Sequence, residues 1–127
     1  MSYIDWEYYS SLFAEVPEDE FEKLNKRAEM QIDVCTHNRV HDFMEGYNAD
    51  AATSFQKTVY SAIQITVCEL INKMQVQDSS GQGNGLAAVS NDGYSESYKI
   101  TTESEKKAEI HAVIRMGLSG TGMVGAL

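Results

Sequence analysis

The chain has 127 residues, of which 43% are hydrophobic and 23% charged, a composition typical of one folded globular domain. Lys and Arg number 10 against 19 Asp and Glu, so the formal net charge is −9, which argues against a protein that grips nucleic acid through phosphate contacts. No uncharged stretch reaches the roughly 20 apolar residues that span a bilayer, and the first residues lack the pattern of a secretory signal peptide, so synthesis in the cytosol is expected.

The first 22 residues are acidic and aromatic. They hold seven carboxylates and no Lys or Arg, together with five aromatic residues: Tyr3, Trp6, Tyr8, Tyr9 and Phe13. This combination predicts a short helix whose rings pack on a core while its acids face solvent.

A second helix is predicted from about Pro17 to about Val40. Proline suits the first turn of a helix, and the three acids that follow it complement the positive end of the helix dipole. Apolar residues then recur every three or four positions, as on a helix with one buried face. Gly46 and Asn48 are expected to end any continuation.

The third predicted helix, from about Ala51 to about Gln75, has the most regular apolar pattern. Its apolar residues occur on more than one side, which is typical of a central helix. The segment from Asp78 to Gly85 contains three glycines and is predicted to be a flexible loop.

A β-hairpin is predicted between the third and fourth helices. Polar and apolar residues alternate around the turn sequence Asn91-Asp92-Gly93, and Tyr94 and Tyr98 share one face of the second strand. Because an isolated hairpin is only marginally stable in water, we expect it to lean on a helix or on another subunit.

The last helix is predicted to open with the capping box Thr102-x-x-Glu105 and to stop at Gly117. Residues 118–127 are rich in glycine, apolar and uncharged, so we expect a flexible tail that is frayed or bound to a partner. The predicted fold is therefore a single domain, residues 1–127, mainly α: a small bundle of about four helices with a hairpin and a tail.

One group of side chains has the composition of a metal site. Asp33, His37, His41 and Glu45 recur every four residues, and Cys35 lies nearby. No second cluster offers the further ligand that a catalytic zinc requires, so an exposed polar stripe without metal is the favoured interpretation.

Other chemical motifs do not fit their contexts. The letters of Gly120–Gly125 match the dinucleotide fingerprint, but only two residues follow them, and that motif requires a helix there. No nucleophile elbow or phosphate loop is present, so no catalytic or cofactor-binding residues are predicted. Cys35 and Cys68 are expected to be reduced and buried.

Several segments resemble one protein family. Ser90-Asn-Asp-Gly-Tyr-Ser-Glu-Ser-Tyr98 is similar to a segment of the head–tail connector (adaptor) proteins of long-tailed bacteriophages and related prophages, especially those of Firmicutes. Further matches in the same order are Tyr8-Tyr9, Phe21 with Leu24, Ile32-Asp33-x-x-Thr36 and Leu118-x-Gly-Thr-Gly-Met123. The chain departs from the family at Val124 and Gly125, where an aromatic residue and an arginine are usual.

The resemblance implies a structural virion protein and not an enzyme. Such a protein forms a homo-oligomeric ring, expected to be a dodecamer, beneath the portal; it extends the DNA channel and joins the next head-completion or tail protein. It is expected at the head–tail interface of the virion, and in the host cytoplasm during assembly. DNA would pass without sequence-specific binding, since an acidic ring repels its backbone.

Candidate interface residues are the hairpin tyrosines Tyr94 and Tyr98 and the tail residues Leu118, Met123, Val124 and Leu127. Packing of the tyrosines on the fourth helix of their own chain is an equal alternative. Two other functions stay open: an acidic protein-binding module such as a DNA-mimicking inhibitor, and a metal enzyme acting through His37 and His41.

Overall fold

The structure is a computed structural model that describes residues 2–89 and 103–123, and the backbone alone of residues 79–89. These residues form five helices: α1 (Trp6–Leu12), α2 (Glu18–Cys35), α3 (Arg39–Gly46), α4 (Ser54–Val89) and α5 (Glu103–Gly117). They contain no strand, so the predicted mainly α class is confirmed. None of these helices has both the length and the hydropathy needed to cross a membrane.

The short N-terminal helix is confirmed as α1. The Asp5 carboxylate caps it by accepting a hydrogen bond from the Tyr8 backbone N–H at 2.8 Å. Tyr9 is fully buried, and its ring lies 5.5 Å from the ring of Phe21 on α2, between centroids. Trp6 packs edge-on against the same phenylalanine at 5.6 Å. Aromatic packing therefore fixes α1 on α2.

The second predicted helix is divided, which corrects the helix count from four to five. His37 and Asn38 have left-handed backbones, with φ of 54° and 64°. The His37 N–H donates to the carbonyl of Val34 and the Asn38 N–H to that of Asp33, at 3.2 and 2.7 Å. These two bonds form the Schellman motif that ends helices, here without the usual glycine.

The glycine-containing loop predicted at 78–85 is wrong, because α4 continues through it to Val89. Each glycine inside a helix costs about 1 kcal/mol relative to alanine. Extending an existing helix needs no new nucleus, however, and every added residue gains a backbone hydrogen bond. The glycine content alone was therefore an insufficient reason to predict a loop.

Helix α4 is the central element, since both α2 and α5 pack along it. The core includes five fully buried side chains from these three helices: Ile32, Ile63, Leu70, Ile71 and Ile114. Helix α5 ends at Gly117 as predicted. A Cβ atom placed on Gly117 would lie 2.1 Å from the Thr66 Oγ1 atom, so the two helix backbones approach closely there.

The predicted hairpin falls on residues 90–98, and the capping residue Thr102 follows it; both lie outside the described residues. Cys35 and Cys68 are free and buried, as predicted.

Candidate interaction surfaces

The first six residues of the predicted tail form a turn in which Leu118 and Thr121 are buried, whereas Ser119, Gly120 and Gly122 are exposed. Leu118 is fully buried, and its carbonyl accepts a hydrogen bond from the Thr121 hydroxyl at 2.6 Å. Gly120 and Gly122 adopt positive φ, 80° and 82°, which permits this tight turn. Met123 is partly buried against the core. Leu118 therefore has no exposed surface to offer a partner.

The other candidate interface residues lie outside the described part of the chain. These residues are Tyr94, Tyr98, Val124 and Leu127. Met123 is the one candidate that is both described and partly exposed, and the Arg39 guanidinium donates to its carbonyl at 3.3 Å.

Large apolar side chains are exposed on several helices. Met30 and Val34 on α2 are each 66% exposed, and Met116 on α5 is 80% exposed. Ile65 and Val76 on α4 are also exposed. The apolar patterns of the third and last predicted helices include Ile65 and Met116, whose exposure is therefore a correction. Met30, Val34 and Val76 were not singled out, because the predictions followed the buried stripe of each helix. Met30 and Val34 fall outside that stripe at a spacing of four residues, a signal that could have identified them.

A cleft of about 320 Å³ opens where α2, α4 and α5 meet. Met74 and Ile110, both buried, form its apolar part. Its charged lining is mixed: Arg27, Lys106 and Lys107 are positive, whereas Asp78 and Glu103 are negative and pair with Arg27 and Lys106 at 2.9 and 3.7 Å. We call it the interhelical cleft.

Two contacts connect the helices around the interhelical cleft. The Arg27 guanidinium lies 2.9 Å from the Asp78 carboxylate, an ion pair open to solvent. The Gln77 side-chain amide donates to the Lys106 carbonyl at 3.1 Å and to the Glu109 carboxylate at 2.9 Å, which joins α4 to α5. The ion pair therefore joins α2 to α4, and the hydrogen bonds join α4 to α5, around the cleft.

Half of the ten Lys and Arg lie in two short stretches of sequence: Lys23, Lys26 and Arg27 on α2, and Lys106 and Lys107 on α5. Of these five, Arg27, Lys106 and Lys107 line the cleft. Lys23 and Lys26 are exposed but do not line it.

The residues of the predicted polar stripe do not lie on one helix face. The break at His37 separates α2 from α3, and His37 itself is exposed. The buried Tyr3 hydroxyl instead connects the two helices, because it donates to Asp33 at 2.7 Å and lies 3.4 Å from the His41 Nδ1 atom. The other ring nitrogen of His41 lies 3.2 Å from the Glu45 carboxylate.

This network anchors the start of the chain. The Tyr3 N–H donates to the Glu29 carboxylate at 2.7 Å, and the Gln64 amide donates to the Tyr3 carbonyl at 3.2 Å. Within residues 2–89 and 103–123, no group of three or more His, Cys, Asp or Glu side chains is arranged to hold a metal ion. Of the residues that suggested a metal site, Asp33 and His41 therefore contact Tyr3 and help to fix the N-terminus, together with Glu29 and Gln64.

The network has a predicted pH dependence. Burial raises the pKa of the Asp33 carboxyl above its ordinary value of 3.8, and the hydrogen bond from Tyr3 offsets only part of this effect. Burial also raises the pKa of Glu29. Because the folded state binds these protons more tightly than the unfolded state, their contribution to stability is largest below the ordinary pKa and is lost as pH rises through the raised one.

We expect Asp33→Asn to flatten the dependence of the unfolding free energy on pH between about pH 4 and neutrality. At neutral pH the variant should be at least as stable as the parent, since the amide oxygen can still accept the Tyr3 hydrogen bond without a buried charge. Urea titrations at a series of pH values measure this. Glu22→Gln removes the same charge from an exposed position; parallel curves for the two variants would contradict the expectation.

Comparisons of the chain with protein-family models, with curated proteins and with solved structures found no match.

Proposed function

We propose that the protein is a structural subunit of a bacteriophage virion, a head–tail connector that forms a ring under the portal. The ring extends the DNA channel and joins the capsid to the tail-side proteins. The proposal starts from the resemblance at residues 90–98 and 118–123, and the described surface supports it.

The observation that carries the proposal is the sequence resemblance at residues 90–98 and 118–123. A subunit of a closed ring must present two different surfaces to its two neighbours and further surfaces to the proteins above and below. Met30 and Val34, exposed one turn apart on α2, provide apolar surface for one such contact.

The charge of the chain also supports a role around DNA without binding it. With a formal net charge of −9, a ring of such subunits repels phosphates, so a duplex can slide through its channel. A protein that holds DNA needs the opposite charge.

Within this proposal, the predicted hairpin contacts a neighbouring subunit or the portal through Tyr94 and Tyr98. Met123, Val124 and Leu127 provide a second contact. Leu118 is buried, so it holds the turn that directs the following residues and does not itself touch the partner.

The proposal is tested in virions released from the bacterial strain that carries the gene. We expect gold-labelled antibodies against the chain to mark the junction between head and tail, and deletion of the gene to yield filled heads without attached tails. Normal tailed particles from the deletion strain would refute the proposal.

The contact of the C-terminal residues has its own test. Removal of residues 124–127 leaves the packed turn at Leu118 to Met123 in place, so the helical circular dichroism should be unchanged. When a gene for the truncated protein replaces the parent gene, we expect the truncated protein to be absent from virions. A strain with the full-length gene at the same position is the control. Incorporation equal to that of the control would show that these residues are dispensable.

A second candidate is an acidic binding module that imitates DNA. The seven carboxylates among the first 22 residues favour it. It predicts a monomer or dimer that blocks a basic nucleic-acid-binding protein, and it predicts no label on virions. The virion experiment therefore separates the two candidates.

A further inference from the structure

We propose that a small pocket beside the start of α2 binds a guanidinium group, such as the end of an arginine side chain. The pocket lies between the N-terminal residues and the first two turns of α2, and we call it the acidic pocket. Its volume of about 160 Å³ is below that of sites for drug-sized ligands and suits the end of a single side chain. The site does not depend on the proposed function.

The charged lining of the acidic pocket has one sign. Asp5, Glu18 and Glu22 line it, and none of the described Lys, Arg or His residues does. Glu18 and Glu22 are exposed and lie one turn apart on α2, so their charges repel each other. Neither carboxylate has a hydrogen bond or an ion pair with the residues that the structure describes. A bound cation would relieve this repulsion.

The positive helix ends near the pocket do not cancel its charge. Helix α1 begins at Trp6 and α2 at Glu18, and the start of a helix carries at most about half an elementary positive charge. Two such ends leave about two of the three negative charges unopposed. The electrostatics of the pocket therefore favour a cation as its ligand.

A buried asparagine side chain forms part of the same pocket. Asn25 is only 4% exposed, and its amide nitrogen donates to the Ile4 carbonyl at 3.5 Å. Its Oδ1 atom is buried and accepts no hydrogen bond from the described part of the chain. Side chains on a helix lean toward its N-terminus, so Asn25 lies over the turn of Phe21 and Glu22, which also line the pocket. A buried acceptor without a donor costs free energy, and an occupant that supplies an N–H group removes this cost.

Two aromatic rings in the lining select a planar cation. Trp6 and Phe21 both line the pocket, with their ring centroids 5.6 Å apart. A guanidinium group is planar, stacks on aromatic faces and presents several N–H donors in a fork that carboxylates accept. A metal ion is less suitable, because no group of three or more His, Cys, Asp or Glu side chains in the described ranges is arranged to hold one. The lining therefore matches guanidinium in charge, shape and hydrogen bonding.

The fluorescence of Trp6, the single tryptophan of the chain, reports on the pocket that it lines. The probe is Nα-acetyl-argininamide, which carries the side chain as it occurs in a protein. We expect a saturable change in fluorescence with a dissociation constant of about a millimolar, typical of so small a ligand. Nα-acetyl-citrullinamide has a neutral urea of the same shape and should cause no saturable change. An equal response to both probes would overturn the proposal.

A pair of double variants tests the carboxylates. Glu18→Gln with Glu22→Gln removes two charges from the pocket and should weaken binding about tenfold or more. Asp19→Asn with Glu20→Gln removes the same charge from exposed positions on the first turn of α2 that do not line the pocket. This control should bind within about threefold of the wild type, because charges in water are screened. Far-ultraviolet circular dichroism checks that both variants are folded, and equal affinities for the two would overturn the proposal.

The amide is tested by substitution and by NMR. Asn25→Leu removes the unpaired acceptor at nearly constant size, and we expect it to weaken binding about tenfold. If this variant does not fold, the wild type decides: the signals of the Trp6 indole N–H and the Asn25 side-chain amide should shift together during the titration. Shifts at Gln77 and Lys107 in place of these would put the probe in the interhelical cleft and overturn the proposal.

Two further probes identify the source of the cation. Free arginine that binds about tenfold more tightly than the blocked probe would assign the pocket to the free amino acid, because its α-amino and carboxylate groups then add contacts. Weaker or equal binding of free arginine assigns it to an arginine side chain of a partner protein. Nα-acetyl-lysinamide presents an ammonium group, and an affinity equal to that of the arginine probe would overturn the choice of guanidinium. None of these outcomes bears on the connector role, which the virion experiment tests separately.

Discussion

Gly117→Ala is expected to lower the free energy of unfolding by about 1–3 kcal/mol, the usual cost of overpacking a tight contact. The added Cβ would lie 2.1 Å from the Oγ1 atom and 3.0 Å from the Cβ atom of Thr66. Thr66 is fully buried, and its hydroxyl donates to the Ala62 carbonyl at 2.7 Å. Rotation of the threonine would move the hydroxyl but not its Cβ atom, so α5 must shift away from α4.

Gly46→Ala is the matched control for this substitution. Gly46 is the last residue of α3, and a Cβ there meets nothing within 4 Å. It should leave stability unchanged or raise it by up to about 1 kcal/mol. Urea unfolding followed by circular dichroism compares the two variants.

A double variant tests whether contact with Thr66 causes the loss of stability in Gly117→Ala. Thr66→Ala removes the Oγ1 and Cγ2 atoms that the new methyl group would strike, so the loss caused by Gly117→Ala should be smaller in that background. Equal losses in both backgrounds would show that the close approach of α4 and α5 at this point is not what constrains residue 117.

Leu118→Ala should destabilise the protein by about 2–5 kcal/mol, since it removes a fully buried side chain and leaves a cavity. Leu12→Ala makes the same chemical change at a side chain that is 53% exposed, and we expect it to cost less than half as much. Denaturant unfolding of the two variants provides the comparison.

The stabilities of these two variants also test whether Leu118 anchors the turn formed by residues 118–123. If Leu118 anchors the turn, Leu118→Ala unfolds at lower denaturant concentration, whereas removal of residues 124–127 leaves the unfolding midpoint unchanged. If Leu118→Ala were as stable as Leu12→Ala, residues 118–123 would not be part of the folded core.

The helices whose apolar or aromatic residues recur at helical spacing could be predicted from the sequence. The aromatic residues around Tyr9 and the apolar repeat from Val59 to Met74 mark α1 and α4, because burial on one side imposes that spacing. The end of α2 could not be predicted in the same way. It depends on left-handed conformations of His37 and Asn38, and glycine, the usual marker of such a turn, is absent there.

The interhelical cleft was beyond sequence analysis for a different reason. Its residues come from three helices, and Arg27 and Lys107 are brought to one opening only by the packing of α2 and α5 on α4. The predicted polar stripe is interrupted because the same turn that ends α2 displaces His37 from it.

The two buried cysteines allow unfolding to be measured by chemical modification of the unaltered protein. Burial raises the pKa of the Cys68 thiol to about 12 and that of Cys35 above its ordinary value, so very little reactive thiolate exists in the native state. An alkylating reagent can then modify them only when the helices separate. The modification rate in the unaltered protein counts these opening events, and its decrease on addition of any partner would measure how strongly that partner holds the fold closed.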